Sequence, residues 1–416
     1  MPVKSVVADR RAFLSGLGLA GLAALTPAPA AWARARGAGW PRVAALLDRY
    51  VGAHKIAGAS VAIRRGVATH TISKGALAFD GALADDRTLW RIFSMSKPIT
   101  GVTALTLVED GRLRLNQPVA DFVPEFGALK VLDNGVLRPA RAPMLVSHLL
   151  THTSGLGYAI NAGSPLAKLY VDATLLPGDP TPRDSAPRSL DEFGARLATM
   201  PLGSDPGARW EYSVALDLMG LVIQRASGMP FETYLKARLF DPLAMVDTGF
   251  VVTPPNAVRL SMNYGVRNGA VTPLEPAGRS PYLAAPAYPS GGGGLLSTAH
   301  DYDRFCAMLL GEGALDGVRL LAPATARLAH SNLLPAGVVV EGGMAFGAGM
   351  GIVTTASTHP GEEPPGSFGW AGAAGTMMWI DPSRRLSGVL MTQYMPSDAY
   401  PLWAETKRAV YADLAA

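Results

Sequence analysis

The 416-residue chain holds one cysteine, Cys306. A single thiol excludes an internal disulfide and any zinc or iron–sulfur centre built on cysteines. Charge is scarce too: 17% of residues are charged, below the usual quarter, while 49% are hydrophobic. That balance excludes intrinsic disorder, and the length is ample for a large core. The formal net charge is +4, and Lys4, Arg10 and Arg11 against Asp9 carry half of it. No Lys/Arg block with interleaved aromatics remains to follow a phosphate backbone, which argues against nucleic acid as a partner. Several common engines are absent as well. There is no G-x-S-x-G elbow, no H-E-x-x-H helix and no Walker A loop.

Glycine and proline are plentiful, 46 and 33 residues, which points to long shaped loops on a packed scaffold. The first of the informative segments is at the start. Arg10-Arg11-Ala12-Phe13-Leu14 opens an apolar run that ends at Leu25, and small residues with Pro then lead to Ala31-Trp32-Ala33. A basic start, a short apolar stretch and an A-x-A site make a secretory signal over 1–33, and the arginine pair is similar to a twin-arginine export signal. The run is shorter than the roughly 20 residues needed to cross a bilayer. No later stretch is apolar for long enough either, so no stable membrane span is expected once the signal is cleaved. The mature protein is expected to be periplasmic or secreted.

Beyond residue 40 the hydrophobic spacing predicts a helix over 41–51 and strands over 59–64 and 68–78. Helices follow over 98–109, 146–150, 190–198, 215–226 and 231–239. Connections rich in Pro and Gly, chiefly 161–187 and 251–294, separate several of these. A helix over 301–310, strands over 369–380 and 386–393, and a helix over 400–414 complete the chain. The fold class expected is α/β plus α: an antiparallel sheet built from both termini and flanked by helices, with a mainly helical inserted domain. The domain limits are 34–84 with 298–416 for the sheet and 85–297 for the helices. A cleft between them is the natural place for a ligand.

Ser94-Met95-Ser96-Lys97 is the candidate engine. At a helix start, S-x-x-K places the hydroxyl and the amine one turn apart on one face. A serine is a weak nucleophile until a neighbour accepts its proton, and the first-turn N–H groups favour developing negative charge. Of the eight lysines, only Lys97 has a serine three positions before it. Alone, such a match reads equally well as an N-capping serine with a solvated lysine. Tyr212, in Trp210-Glu211-Tyr212-Ser213-Val214, adds a phenol that could pass the proton to a leaving group. Trp370-Ala371-Gly372-Ala373, on a C-terminal strand, offers small residues and backbone N–H groups against which a substrate could lie. His148 and His152, four apart, lack a third ligand and read as helix-end packing, so no metal is expected. Cys306 falls in the apolar pattern of a helix and is expected to pack.

Ser94-Met-Ser-Lys97, Tyr212-Ser-Val and Trp370-Ala-Gly stand in the order and spacing of the serine β-lactamase and penicillin-binding-protein superfamily. The chain most resembles its family VIII carboxylesterases, which are similar to class C β-lactamases. His148-Leu-Leu-Thr-His-Thr-Ser-Gly155 and Gly291-Gly-Gly-Gly-Leu-Leu-Ser-Thr298 support the resemblance over about residues 40–415. It implies that Ser94 is acylated, that Lys97 is the base or its electrostatic partner, and that Tyr212 is the other proton carrier. The oxyanion donors would be the N–H groups of Ser94 and Ala373, with Trp370, Gly372 and Val214 around the substrate.

Val214 stands where class C lactamases have Asn, and Trp370-Ala371 where they have Lys-Thr. An anionic β-lactam would lose a charge-assisted contact there, so a small neutral ester is the expected partner. No metal or organic cofactor is implied. β-Lactam or D-amino-acid peptide hydrolysis, and acyl transfer, are the enzymatic alternatives. A binding protein that has lost turnover is the non-enzymatic one.

Overall fold

The strands do come from the two ends of the chain. The computed structural model describes residues 39–161, 163–176, 185–275, 278–355 and 363–416. The export signal expected over 1–33 lies outside these residues. Within the unit Pro41–Ala416, seven antiparallel strands form the main sheet: β1 (Gly58–Arg65), β2 (Ala68–Gly75), β3 (Ala345–Phe346), β4 (Gly351–Ile352), β5 (Phe368–Ala371), β6 (Met377–Asp381) and β7 (Leu386–Thr392). Their order is β3-β4-β5-β6-β7-β1-β2. β6 and β7 are buried along their whole length, whereas β2, polar on both faces and buried at no position, is the exposed edge.

Strand alternation decides which helix covers which face. Register pairs Ala59 with Lys74 and Arg64 with Thr69. Lys74 bonds Asp48 of α1 (Pro41–Gly52) at 2.9 Å. Arg64 and Thr69, on the opposite face, both meet Asp303 of α6 (Ala299–Leu310), at 2.6 and 2.9 Å. The N-terminal helix therefore covers one face, joined there by the C-terminal helix α7 (Leu402–Leu414), and α6 covers the other. The Arg64–Asp303 pair is nearly buried and clamps α6 to β1 through two guanidinium bonds.

The helical part is built around α2 (Ser96–Glu109), every residue of which from Ser96 to Leu107 is buried. A helix apolar on all sides needs neighbours all round. Among them α5 (Ala215–Ser227) lies along α2, and α3 (Val146–Leu150) and α4 (Leu190–Ala198) pack on α5 in turn. Sheet residues such as Ala62, Val389 and Met391 share one core with Leu105 and Val222 of the helices.

Three local expectations need correction. The strand expected over 369–380 is a hairpin, β5 and β6. Gly372 N–H donates to the Thr376 carbonyl at 2.8 Å, and Gly375 at φ +84° turns the chain back. β2 stops at Gly75 instead of reaching 78, because that residue also takes a positive φ, +73°. Inside the connection expected over 161–187 lies a short helix, Pro165–Asp172, whose N-cap Ser164 and first-turn proline are local start signals.

Candidate active site

Ser94 lies in a single 3₁₀ turn, Phe93–Met95, that runs straight into α2. The helix begins at Ser96, two residues earlier than the hydrophobic pattern suggests, so Lys97 is already helical. Phe93 holds φ at +42°, an unfavourable region for a side chain with a Cβ, and this bend turns the chain sharply just before Ser94. Two contacts secure the turn from behind. The Tyr302 hydroxyl donates to the Met95 carbonyl at 2.7 Å, and the Ser96 hydroxyl accepts from Leu295 N–H at 3.1 Å.

The three residues singled out from two distant segments, Ser94 with Lys97 and Tyr212, converge here. The Tyr212 hydroxyl donates to Ser94 Oγ at 2.7 Å, and Lys97 Nζ donates to the same oxygen at 3.1 Å. Lys97 is completely buried. Its Nζ has a second acceptor, the Gly292 carbonyl at 2.7 Å, and lies over the rings of Tyr212 and Tyr158, 4.6 and 5.6 Å from their centres. Pairing of Trp90–Arg91 with Leu296–Ser297 puts that glycine run beside the Ser94 turn.

The β5 end closes the other side. A Cβ on Gly372 would sit 2.2 Å from Thr376 Oγ1 and 2.3 Å from the Ile92 carbonyl. Only glycine lets the strand end approach the segment leading into Ser94 this closely. Ala371, Gly372 and Ala373 accordingly line one cleft with Ser94, Tyr212 and Trp370. The cleft measures about 530 Å³. Its walls are mostly apolar, including Ile160, Met344, Phe368 and Met377, and Lys407 paired with Glu363 stands at its edge. Trp370 packs against Tyr212, with ring centres 5.8 Å apart. Val214 is elsewhere: it is fully buried in the core at the start of α5 and is not among the residues lining this cleft.

Two residues beside the cluster, His152 and Asp217, have partners that the sequence reading did not assign. His152 and His148 do not share a helix face, because α3 ends at Leu150 and His152 takes φ +56°. His152 packs its ring 4.8 Å from Tyr212, and its Nδ1 accepts from Ser213 N–H at 3.2 Å. Burial first, and Lys97 second, hold its basicity well below the usual imidazole value, so it is neutral. Asp217 of α5 is also fully buried, and its Oδ1 accepts from Ser290 Oγ at 2.5 Å and Gly292 N–H at 2.9 Å. The local signal for Asp217 is an acid in an apolar helical run, and it says nothing about what the acid meets. Among the described residues no group of three or more His, Cys, Asp or Glu is placed to hold a metal ion.

A serine and a tyrosine at a cleft floor, joined to a buried lysine between an antiparallel sheet and a helical layer, define the class of serine-β-lactamase-fold enzymes. Residues 43–412 match the β-lactamase family, and the chain belongs to that family. It is 36% identical over 331 residues to Protein Rv1367c of Mycobacterium tuberculosis, covering 74% of this chain and 78% of that one. It is 30% identical to Esterase EstB of Burkholderia gladioli over 89% of this chain and 95% of the other. Among solved structures, "EstCE1, a hydrolase with promiscuous acyltransferase activity" superposes with a TM-score of 0.77 at 25% identity, covering 91% of this chain and all of that one. Within the superfamily the chain stands with the family VIII esterases, as a serine hydrolase.

Proposed function

We propose that the protein hydrolyses short-chain carboxylic esters through an acyl-enzyme on Ser94, with Lys97 and Tyr212 as the proton carriers. The observation that carries this reading is the pair of hydrogen bonds, 2.7 Å from Tyr212 and 3.1 Å from Lys97, that converge on Ser94 Oγ at the cleft floor. Ser94 Oγ attacks the ester carbonyl as its proton moves into the Lys97–Tyr212 pair. The oxyanion forms against the N–H groups of Ser94 and Ala373. The proton then passes to the departing alkoxide, and an alcohol leaves. Water attacks the acyl-Ser94 carbonyl and gives a proton to the same pair, which returns it to Ser94 Oγ as the carboxylic acid leaves.

Trp370 and the apolar walls favour a neutral acyl group, as the missing Lys-Thr pair already suggests. An alcohol entering in place of water would give acyl transfer. The hydrolase EstCE1, described as having promiscuous acyltransferase activity, supports that as the second reading.

Intact-protein mass spectrometry with a slow p-nitrophenyl acyl ester tests the proposal, with Ser94→Ala as control. An acyl adduct and turnover in the parent, both lost in Ser94→Ala, are expected. Turnover surviving that substitution would refute the assignment. The arginine pair places the enzyme outside the cytoplasm in this reading. Replacing Arg10 and Arg11 by Lys should then retain it in the cytoplasm, and undiminished export would remove that part.

A further inference from the structure

Asp217 is an unexpected residue to find in the middle of a core. It is fully buried in the first turn of α5, and its Oδ2 has no hydrogen-bond partner. An acid left half-satisfied among apolar side chains is unfavourable unless a nearby cation compensates it. The cation is Lys97, reached across a single residue. Asp217 Oδ1 holds Gly292 from its N–H side at 2.9 Å, while the carbonyl of the same Gly292 takes Lys97 Nζ at 2.7 Å. A Cβ on Gly292 would lie 2.4 Å from Asp217 Oδ2, so only glycine fits between acid and amine.

We propose that Asp217 is a positioning residue of this site. It fixes the Gly292 carbonyl that aims Lys97 at Ser94, and its negative charge keeps Lys97 an ammonium ion during turnover. The proposal rests on the Ser94 reading and deepens it.

The other groups that face Lys97 leave this task to Asp217. Tyr158 and Tyr212 present ring faces. Burial, then Asp217, pushes the Tyr158 hydroxyl well above the usual phenol range, so it stays neutral, and Tyr288 acts on it in the same direction. His152 is held neutral by burial and by Lys97 itself. Burial raises the Asp217 carboxyl, while Lys97, Ser290 and Gly292 N–H favour its anion. With Lys97 locked as a cation, the serine proton goes to Tyr212 Oη as Tyr212 gives its own hydroxyl proton to the departing alkoxide, and Lys97 supplies the positive field that this relay needs.

The test is Asp217→Asn, which keeps the shape and removes the charge. Turnover of p-nitrophenyl butyrate is followed from about pH 6 to about pH 11, with thermal unfolding as the check on folding. Expected are a fall in kcat/KM of about 10- to 100-fold and a move of the alkaline limb to lower pH by about one unit, because the anion that favours the ammonium is gone. A packing defect would lower the plateau without moving either limb. A folded variant with both limbs in place, or with the acid limb moved instead, overturns the proposal. Should Asp217→Asn fail to fold, Ser290→Ala removes the hydroxyl that offsets part of the Asp217 charge and leaves that charge in place, so it is expected to move the alkaline limb the opposite way, to higher pH, by about half a unit. An unmoved limb there overturns it equally. No ester turnover in the parent protein would sink the esterase reading and this one together. Turnover with unmoved limbs sinks this one alone.

Discussion

Tyr212→Phe separates the chemistry at Ser94 from the packing around it. The substitution deletes one oxygen, the donor 2.7 Å from Ser94 Oγ. The ring stays, and with it the contacts to Lys97 at 4.6 Å, His152 at 4.8 Å and Trp370 at 5.8 Å. Loss of a single hydrogen bond at a partly buried site should change stability by about 1 kcal/mol. Loss of a proton carrier is far larger, about 10²- to 10⁴-fold in rate, or about 3–5 kcal/mol in the barrier. The effect should fall on kcat with little change in KM, since the phenol acts on the reacting oxygen and not on the bound acyl group. Steady-state hydrolysis of p-nitrophenyl butyrate beside a urea unfolding curve measures both quantities. A folded variant that keeps more than a tenth of parental kcat would refute the proton-carrier role.

Three further outcomes are expected. His148 is buried with its Nδ1 accepting from Leu145 N–H at 3.2 Å, and burial lowers its protonation from 6.5 to about 4. The unfolded chain therefore binds the extra proton between these values, so stability is complete above about pH 6.5 and declines as pH falls toward 4, by about 3 kcal/mol in all. Urea midpoints across that window check this, and His148→Gln should flatten the decline. Gly372→Ala forces a methyl group to 2.3 Å from the Ile92 carbonyl and should destabilise by about 1–3 kcal/mol with a marked loss of kcat; a neutral result would mean that β5 does not set the catalytic turn. Cys306 is buried within α6, and burial, then Asp303, pushes its thiol well above the usual range. Iodoacetamide should leave the folded enzyme unlabelled and fully active.

Much of this molecule is determined by local sequence. The apolar spacing of 190–198, the turn after Arg65 and the apolar surroundings of Cys306 each define an element or a face without help from the rest of the chain. Ser94, Lys97, Tyr212 and Trp370 were likewise legible, because their motifs combine residue types whose chemistry depends on one another, in a spacing similar to that of a known superfamily. What tertiary structure alone decided is which surfaces meet. Val214 sits beside Tyr212 in sequence, yet the first turn of α5 directs it into the core, so adjacency gave a wrong idea of its surroundings. The β5–β6 hairpin has the apolar content of one strand, and only the positive φ at Gly375 and the Gly372–Thr376 bond break it. Asp217 and Gly292 are 75 residues apart and carry no shared motif. Their contact arises because strand pairing at Trp90–Arg91 pulls the glycine run between α2 and α5. Periodicity specifies the faces of single elements, whereas long-range pairing sets the charges that a buried lysine meets.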